Sequence, residues 1–333
     1  MLLPEVRTWA EWGRMFTDVS QWMPAVHEIC RRESISYHRM EAGYPGTNAV
    51  FVVDQSWVVK IYAPFCKEDL AIEKELCLLL SHNPYIPVPR LLAVGTLPDR
   101  IEWPYIVMDY VPGQPIREAR SDIAPGNRLE IASALGHIVR ELHSTSLAEI
   151  HSLDTSWAGW QRFLHQRMTG CVEELRASGV VPASVLGRIP AFLQGAISDC
   201  PQSPLVLLNG DLTEDHLLVS KKGDRWRISG LIDLADSMIG ERDYEWVALW
   251  VGALDRDGEC MRAFMSAYDP AIVLDEAFLD RALAFTFLHE FGPLCIKGML
   301  QGREHPAIDS IEQLRSALWG SLTRPPAKED RWV

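Results

Sequence analysis

The sequence lacks the patterns that would assign it to a disulfide-stapled, zinc-binding, secreted or membrane class. Its seven cysteines are scattered, without CxxC spacing or pairing with histidines, so we expect reduced, mostly buried thiols of an intracellular protein. Glu5 and Arg7 stand where a secretory signal would have its apolar segment. The longest apolar run, from Trp246 to Leu254, is too short to span a bilayer. A cytoplasmic location without a membrane partner is therefore predicted.

Basic residues are also scarce, with 32 Lys and Arg against 45 Asp and Glu and a net charge of −13 at pH 7. This sign argues against a nucleic acid as partner, because proteins bind that backbone through Lys and Arg. It mildly favours a cationic ligand, although solubility explains a negative net charge as well. The segment from residue 209 to residue 290 holds more than twice as many acidic as basic residues. A run of charge of this kind is also typical of a solvated face.

The chain opens with a helical pattern. Between residues 4 and 33, apolar residues recur at alternating spacings of three and four, which predicts a helix with one apolar stripe. The stripe consists of Trp9, Trp12, Phe16, Val19, Met23 and Val26. We predict an N-terminal helical extension over residues 1–34 that packs on the domain that follows. A membrane-binding or partner-binding helix is the alternative.

Strands follow this extension. Two runs rich in β-branched residues flank a polar turn and predict a hairpin, and a helix is predicted over residues 67–82 before a proline-rich break. The predicted strands are Ala49–Val53, Trp57–Tyr62, Leu91–Val94 and Tyr105–Tyr110. Beyond these strands the pattern is mostly helical, apart from one compact β segment between residues 205 and 233.

Strands first and helices afterwards predict an α+β fold of two lobes. The small β-rich N-lobe is predicted over residues 35–110 and the larger, mostly helical C-lobe over residues 111–325, with a loose tail at 326–333. Such an arrangement would make a cleft at the junction, where ligands tend to bind.

Two carboxylates in the β segment carry the strongest chemical signal. An apolar strand leads into the loop NGDLTEDH, residues 209–216, which contains Asp211. A further apolar strand leads into LIDLAD, which presents Asp233 after another 22 residues. Phosphoryl transfer needs this division of labour, because one carboxylate accepts the proton of the attacking hydroxyl and another holds the metal that bridges the nucleotide phosphates.

These motifs resemble those of the aminoglycoside-phosphotransferase family, whose catalytic loop reads HGDLxxxN and precedes an I-D-[FWL] strand. Protein kinases have the related pair H-R-D-x-x-x-x-N and D-F-G. The similarity covers roughly residues 40–250 in the same order and spacing. It includes WVVKIY, EKELCLLL, IPVPRLLAVG, IVMDYVPG, LHS and GERDYEWVAL. Single motifs of this length are weak, and eight in register are strong.

The resemblance implies a protein-kinase-like fold, ATP or GTP as co-substrate, Mg²⁺ as cofactor and a role in antibiotic resistance. Asp211 would be the catalytic base and Asp233 a magnesium ligand. Lys60 would contact the nucleotide phosphates and pair with Glu75 of the next helix, with Glu73 as the alternative partner.

Two further segments are implied to contact the nucleotide. Gly46 would belong to the loop that covers it, although the GYPG sequence at residues 43–46 is also that of an ordinary turn. Backbone groups of the linker would hydrogen-bond the base. The linker residues are Met108, Asp109, Tyr110 and Val111.

Two residues depart from the family pattern. Asn209 replaces the histidine that opens the loop, and its amide can still form a hydrogen bond. His216 replaces an asparagine that would ligate metal, and an imidazole is a poor magnesium ligand. Either a second metal is lost, or Asp215 or water supplies the missing oxygen, or His216 contacts phosphate. We retain His216 as a candidate ligand, for which Mn²⁺ is the alternative metal.

The acceptor is predicted to be a small, cationic alcohol of the aminoglycoside type, because carboxylates of the C-lobe hold the acceptor in that family. The candidates are Asp255, Asp257, Glu259 and Glu290. Kinases of choline, homoserine, methylthioribose, a macrolide or another sugar share the nucleotide motifs and stay open as alternatives. A kinase-like module that binds ligand without turnover is the alternative outside the enzymes.

Overall fold

The computed structural model describes residues 3–15, 19–43, 46–198, 204–302 and 305–323. The chain divides into two compact units, and it passes from one to the other more than once. The first unit consists of Met1–Gln114, Glu149–Leu153 and Ser229–Ser237. The second consists of Pro115–Ala148, Asp154–Ile228 and Met238–Val333. The sequence pattern did not predict that two later segments return to the first unit.

The first unit is built on an antiparallel sheet in the order β1-β2-β3-β5-β4. Its strands are β1 (Met40–Ala42), β2 (Ala49–Val53), β3 (Trp57–Ile61), β4 (Leu91–Pro98) and β5 (Glu102–Asp109). Its helices are α1 (Trp9–Met15), α2 (Val19–Arg32) and α3 (Lys67–Leu80). The predicted hairpin is confirmed, since Ala49 lies opposite Ile61 and Val53 opposite Trp57.

The N-terminal helices share one hydrophobic core with this sheet. Trp12 of α1 and Trp22 of α2 pack with Trp103 of β5, with ring centroids 5.4 to 6.2 Å apart. Burial of aromatic area on this scale makes α1 and α2 part of the unit's core. Two residues of the predicted stripe, Trp9 and Met23, are exposed instead. Phe16 lies outside the described residues, as does the predicted tail at 326–333.

The second unit is mostly helical. The helices are α4 (Ile116–Ala119), α5 (Pro125–His143), α6 (Trp157–Ser178), α7 (Ala183–Leu186), α8 (Ile189–Ser198), α9 (Glu245–Val251), α10 (Gly258–Tyr268), α11 (Glu276–Leu288), α12 (Gly292–Leu300) and α13 (Ile311–Trp319). Side-chain oxygens of Ser156, Asp257, Asp275 and Ser310 cap the first turns of α6, α10, α11 and α13. Helices α5 and α10 approach so closely that a Cβ at Gly136 would lie 2.4 Å from the carbonyl oxygen of Phe264.

Short strands from residue 114 onward carry the polar loops. They are β6 (Gln114–Pro115), β7 (Val206–Leu208), β8 (Leu217–Lys222), β9 (Arg225–Leu231) and β10 (Met238–Gly240). Strand β7 pairs antiparallel with β10, and β8 lies between β6 and β9. The chain changes unit within β6 and again within β9. The β segment predicted between residues 205 and 233 is confirmed, and so is the α+β class.

The cysteines within the described residues are free and buried, as the sequence predicted. Cys200 lies outside those residues. None of the helices that the structure describes has both the length and the apolar character needed to cross a membrane.

Candidate active site

A buried lysine lies at the centre of the polar cluster in the first unit. Lys60 of β3 lies opposite Val50 of β2 and Ile106 of β5, and it is 4% exposed. Its Nζ lies 2.6 Å from Oε2 of Glu73 and 2.7 Å from Oδ1 of Asp233. An isolated ammonium would be costly to bury, and the two carboxylates offset that cost.

The groups of this cluster set one another's ionisation. Burial alone would lower the pKa of Lys60, but Glu73 and Asp233 outweigh it and raise that pKa above its ordinary value. Burial raises the pKa of Glu73 against the attraction of Lys60. The hydroxyl of Tyr62 donates to the Glu73 oxygen that Lys60 also contacts. Burial and Glu73 raise the pKa of Tyr62 well above its ordinary value, so the hydroxyl stays a donor at neutral pH.

Asp233 reaches the lysine from a backbone conformation that few residues adopt. It follows β9, in a segment that belongs to the first unit, and its φ is 61°. Aspartate is among the non-glycine residues that adopt this left-handed region most readily. The ion pair with Lys60 helps to hold the residue in this conformation, which is typical of functional positions.

The predicted partner of Lys60 was wrong, because the structure pairs it with Glu73 and not with Glu75. Glu75 accepts hydrogen bonds from the backbone N–H groups of His151 and Ser152 at 2.9 and 2.7 Å. It thereby anchors the segment at residues 149–153 that returns to the first unit. A sequence signal for Glu73 existed, since it lies three, four and seven residues before the buried residues of the same helix face. Those residues are Leu76, Cys77 and Leu80.

The other predicted nucleotide contacts also lie in the first unit. Met108 and Asp109 end β5, and the backbone N–H groups of Asp109 and Tyr110 donate to the carbonyls of Arg90 and Ser56. The side chain of Val111 packs where a Cβ at Gly230 would lie. Gly46 is exposed, and apart from its chain neighbours no atom of the described residues lies within 4 Å of a Cβ placed there. Whether these residues contact a nucleotide stays a prediction.

In the second unit, Asp211 lies in the loop between β7 and β8. Its side chain is 19% exposed. The preceding Gly210 has a φ of 79°, which a residue with a Cβ would adopt only with strain. The backbone N–H of Asp211 donates to Oδ1 of Asn209 at 3.3 Å, and its carbonyl accepts from the N–H of Thr213 at 2.7 Å. The amide of Asn209 therefore forms a hydrogen bond within the loop, as expected for this departure from the family pattern.

A buried network fixes the start of this loop. The backbone N–H of Asn209 donates to Oε2 of Glu245 at 2.7 Å. That oxygen lies 3.5 Å from Nε2 of His143, whose Nδ1 lies 2.8 Å from the hydroxyl of Tyr268. The backbone N–H of Asn209 thus has a buried acceptor, whereas Nε2 of His143 and Oε1 of Glu245 have no hydrogen-bond partner within the described residues. His143 is buried in this network, and Glu245 was missed although it lies in the GERDYEWVAL motif.

His216 contacts Asp211 itself. Its Nδ1 lies 3.0 Å from the carbonyl oxygen and 3.2 Å from the carboxylate oxygen Oδ2 of that residue. Both groups are acceptors, so Nδ1 carries the proton and donates. In its neutral form the ring would then have its lone pair on Nε2, which is the form of histidine that ligates metals.

The residues present can supply part of a magnesium site. Magnesium at a nucleotide usually takes one or two carboxylates and completes its shell with phosphate oxygens and water. The carboxylate of Asp233 is of the required type. Within the described residues no group of three or more His, Cys, Asp or Glu side chains is arranged to hold a metal ion. A bound ion would therefore depend on phosphate or water for most of its ligands.

Of the four carboxylates predicted to bind the acceptor, two are paired with other groups and two are exposed. Asp255 pairs with Arg120 at 3.1 Å, and Asp257 accepts from the N–H groups that begin α10. Both therefore have partners within the unit. Glu259 and Glu290 are exposed, in the first turn of α10 and in the turn between α11 and α12.

A buried histidine within electrostatic reach of Asp211 was not predicted. His289 stacks on Tyr244, with ring centroids 4.6 Å apart, and its Nδ1 accepts from the N–H of Phe291 at 3.1 Å. Burial lowers the pKa of His289 to about 4, and the charge of Asp211 opposes that shift. The ring is therefore neutral, with its proton on Nε2, which has no hydrogen-bond partner in the described part of the chain. No motif marks this residue, which follows the apolar run of α11.

Comparisons with known proteins give the family of this chain and structures of similar fold. The sequence model of the phosphotransferase enzyme family matches residues 43–281. The GDP and kanamycin complex of APH(2'')-IIIa has a TM-score of 0.64 and 19% identity, over 79% of this chain and 88% of that one. The streptomycin–ATP complex of APH(2'')-IIa has a TM-score of 0.55 and 16% identity, over 79% and 87%. ADP-bound aminoglycoside phosphotransferase APH(2'')-Ib has a TM-score of 0.58 and 16% identity, over 92% and 97%. The predicted protein-kinase-like fold is confirmed.

Exchange of Glu73 for Gln should destabilise the protein far more than exchange of Glu75 for Gln. The first change removes one of the two charges that offset the buried ammonium of Lys60, at a cost of about 3 kcal/mol. The second keeps an acceptor for the N–H groups of His151 and Ser152 and should cost about 1 kcal/mol. Urea unfolding followed by circular dichroism measures both. Equal losses of the free energy of unfolding would contradict the assignment of Glu73 as the partner.

Proposed function

Because the chain belongs to the phosphotransferase enzyme family, we propose that it transfers the γ-phosphate of ATP or GTP to a hydroxyl of a small, aminoglycoside-like cationic acceptor. Phosphotransferase activity toward a hydroxyl group follows from the membership itself. The identity of the nucleotide and the chemical class of the acceptor go beyond that membership and are what we propose. Proteins of the same fold have been solved with GDP, ADP or ATP, which supports a nucleoside triphosphate as donor.

The observation that carries the proposal is the buried ammonium of Lys60 between Glu73 and Asp233. A lysine held in this way by a helix carboxylate is the group that contacts nucleotide phosphates in phosphoryl-transfer enzymes. Glu73 and Tyr62 fix its position. Asp233 is the second carboxylate, and it would exchange part of its contact with Lys60 for a magnesium ion. When bound, that ion would neutralise the charge that develops on the phosphates.

Asp211 is proposed to accept the proton of the acceptor hydroxyl. The oxygen of that hydroxyl forms a bond to the γ-phosphorus while the bond from phosphorus to the β–γ bridging oxygen breaks, and ADP or GDP leaves. Nδ1 of His216 lies 3.2 Å from Oδ2 of Asp211, so the ring contacts the carboxylate that would take the proton. The loop's hydrogen bonds through Asn209 and Thr213 hold the carboxylate for this step.

The acceptor is proposed to be cationic because the region after residue 209 is strongly acidic. Glu259 and Glu290 are the exposed carboxylates among the candidates, whereas Asp255 and Asp257 have partners of their own. Choline, homoserine, methylthioribose, a macrolide or another sugar are the alternative acceptors. A screen of ADP and GDP release over aminoglycosides and these alcohols tests the proposal. Nucleotide-dependent thermal stabilisation without release on any acceptor would indicate a binding module.

Replacement of Asp211 by Ala should lower kcat by about two to four orders of magnitude, because the acceptor proton loses its base. Nucleotide affinity should change little, since the Lys60 cluster is untouched. Steady-state kinetics and nucleotide titration measure the two effects separately. Asp224→Ala, which removes an exposed carboxylate of the same unit, is the matched control. Near-normal turnover in a folded Asp211→Ala protein would contradict the assignment.

Asp233→Asn should abolish the magnesium dependence of nucleotide binding together with turnover. Asparagine tolerates the positive φ of this position, so the backbone should be retained. Titrations of ATP and GTP with and without magnesium, in wild type and variant, make the comparison. If the variant keeps the wild-type dependence, Asp233 is structural, and Asp215 or Asp236, a carboxylate three residues after Asp233, is the better candidate.

His216→Asn should reduce the preference for manganese over magnesium several-fold, because an imidazole favours manganese more than an amide oxygen does. The variant should support turnover with magnesium at least as well as the wild type. The measurement is kcat with each metal, with the exposed His137→Asn as control. Identical metal profiles in His216→Asn and wild type would show that His216 is not a ligand.

A further inference from the structure

Two arginines near the start of the second unit hold the acidic pair that follows Asp211 in its loop. Arg117 of α4 lies 2.5 Å from Oδ1 of Asp215, and its backbone N–H donates to the carbonyl of Glu214 at 3.3 Å. Arg120, in the turn after α4, lies 3.1 Å from Oε2 of Glu214. The two arginines are more than 90 residues away in sequence, so these contacts depend on the tertiary fold.

Arg120 also binds a second segment. Its NH2 group donates to the carbonyls of Gly252 and Ala253, at 2.9 and 3.4 Å, and its NH1 lies 3.1 Å from Oδ2 of Asp255. Its side chain is 19% exposed. A guanidinium has five donors in a planar fork, so one arginine can bind both the loop and this turn. A lysine could not reproduce that set of contacts.

The turn at residues 252–256 is a fixed support for the loop. A Cβ at Gly252 would lie 2.8 Å from Cα of Thr213, so the two backbones are in direct contact. Asp255 and Arg256 have φ values of 49° and 59°. The guanidinium of Arg256 donates to the carbonyls of residues 298 and 301, at 2.8 and 2.9 Å, which holds the turn against α12 and the residues after it.

We propose that Arg120 is a positioning residue for Asp211, which it serves by joining Glu214 of the catalytic loop to the rigid turn at Gly252–Asp255. The inference rests on the proposed function of Asp211 as base. Glu214 lies three residues after Asp211, within the same short loop, so its anchorage limits the movement of the reacting carboxylate. Positioning of this kind matters for the rate, because a displacement of about 1 Å can cost about a hundredfold.

The proposal also gives Asp255 a different role from the one expected from the sequence. Its carboxylate lies on Arg120 and beside Arg256, and it adopts a positive φ to do so. It therefore orients the guanidinium that binds Glu214.

The test combines kinetics with hydrogen exchange on the full chain. Arg120→Met removes the charge and keeps the aliphatic stem, and Arg120→Lys keeps the charge without the fork. We expect Arg120→Met to lower kcat about tenfold with an unchanged KM for the nucleotide, and Arg120→Lys to lie between it and wild type. Exchange of the backbone amides in the peptide that covers residues 211–216 should become faster. Arg225→Met, which removes an exposed cation of the same unit, should change neither quantity.

Two double-mutant cycles separate the loop from the turn. Combined with Arg120→Met, Glu214→Gln should add little to the loss of kcat, because both changes break the same contact. Glu214→Gln also tests the contact should Arg120→Met fail to fold. A kcat within twofold of wild type in Arg120→Met overturns the proposal. So does a fall in kcat with unchanged exchange at residues 211–216, or a coupling found with Asp255→Asn and absent with Glu214→Gln.

The same data distinguish a failure of this inference from a failure of the proposed function. If Asp211→Ala keeps its turnover while Arg120→Met accelerates exchange in the loop, the base is misassigned and Arg120 still holds the loop. If Asp211→Ala is inactive while the loop exchanges at the wild-type rate in Arg120→Met, the function stands and Arg120 has no positioning role.

Discussion

The ammonium of Lys60 is the constraint on which the first unit depends. It is almost entirely removed from solvent, and a charge in that position is tolerated only when opposite charges and hydrogen bonds compensate it. One carboxylate comes from α3 and the other from the segment after β9. A strand, a helix and a segment distant in sequence are therefore joined at one atom, and the hydroxyl of Tyr62 fixes the geometry from a second side.

In the second unit, charged side chains are also compensated by neighbouring groups, but the groups are different. Its polar loop carries several carboxylates within six residues, and each one has to be held apart from the others or paired. His216 contacts Asp211, and Arg117 and Arg120 contact Asp215 and Glu214. Behind the loop, Glu245 accepts the N–H of Asn209 and faces His143. Each of the three carboxylates thus has a partner, and the side chains of Asp211, Glu214 and Asp215 are 19%, 27% and 30% exposed.

The sequence predicted those features that are local in the chain. The β2–β3 hairpin follows from two β-branched runs around a polar turn, and Lys60, Asp211 and Asp233 follow from motifs of known spacing. Helix periodicity could have identified Glu73, because it shares a face with buried Leu76 and Leu80.

Contacts between segments that are distant in sequence do not show in such local patterns. Neither Arg120 near Glu214 nor His289 near Asp211 lies in a periodic or motif-bearing stretch, so only the folded chain relates them.

The division of the first unit into three stretches of chain has a consequence for biosynthesis. Domains form as the chain leaves the ribosome, from the N-terminus onward. The sheet and α3 are complete at Gln114, but the partners of Glu75 follow at residues 151 and 152 and the second partner of Lys60 only at residue 233. Until then Glu73 is the only one of its two carboxylate partners to have been synthesised, and more than a hundred further residues follow before Asp233 completes the pair. A chain expressed as residues 1–114 alone would lack both later segments of the first unit and, with them, the Asp233 partner of Lys60.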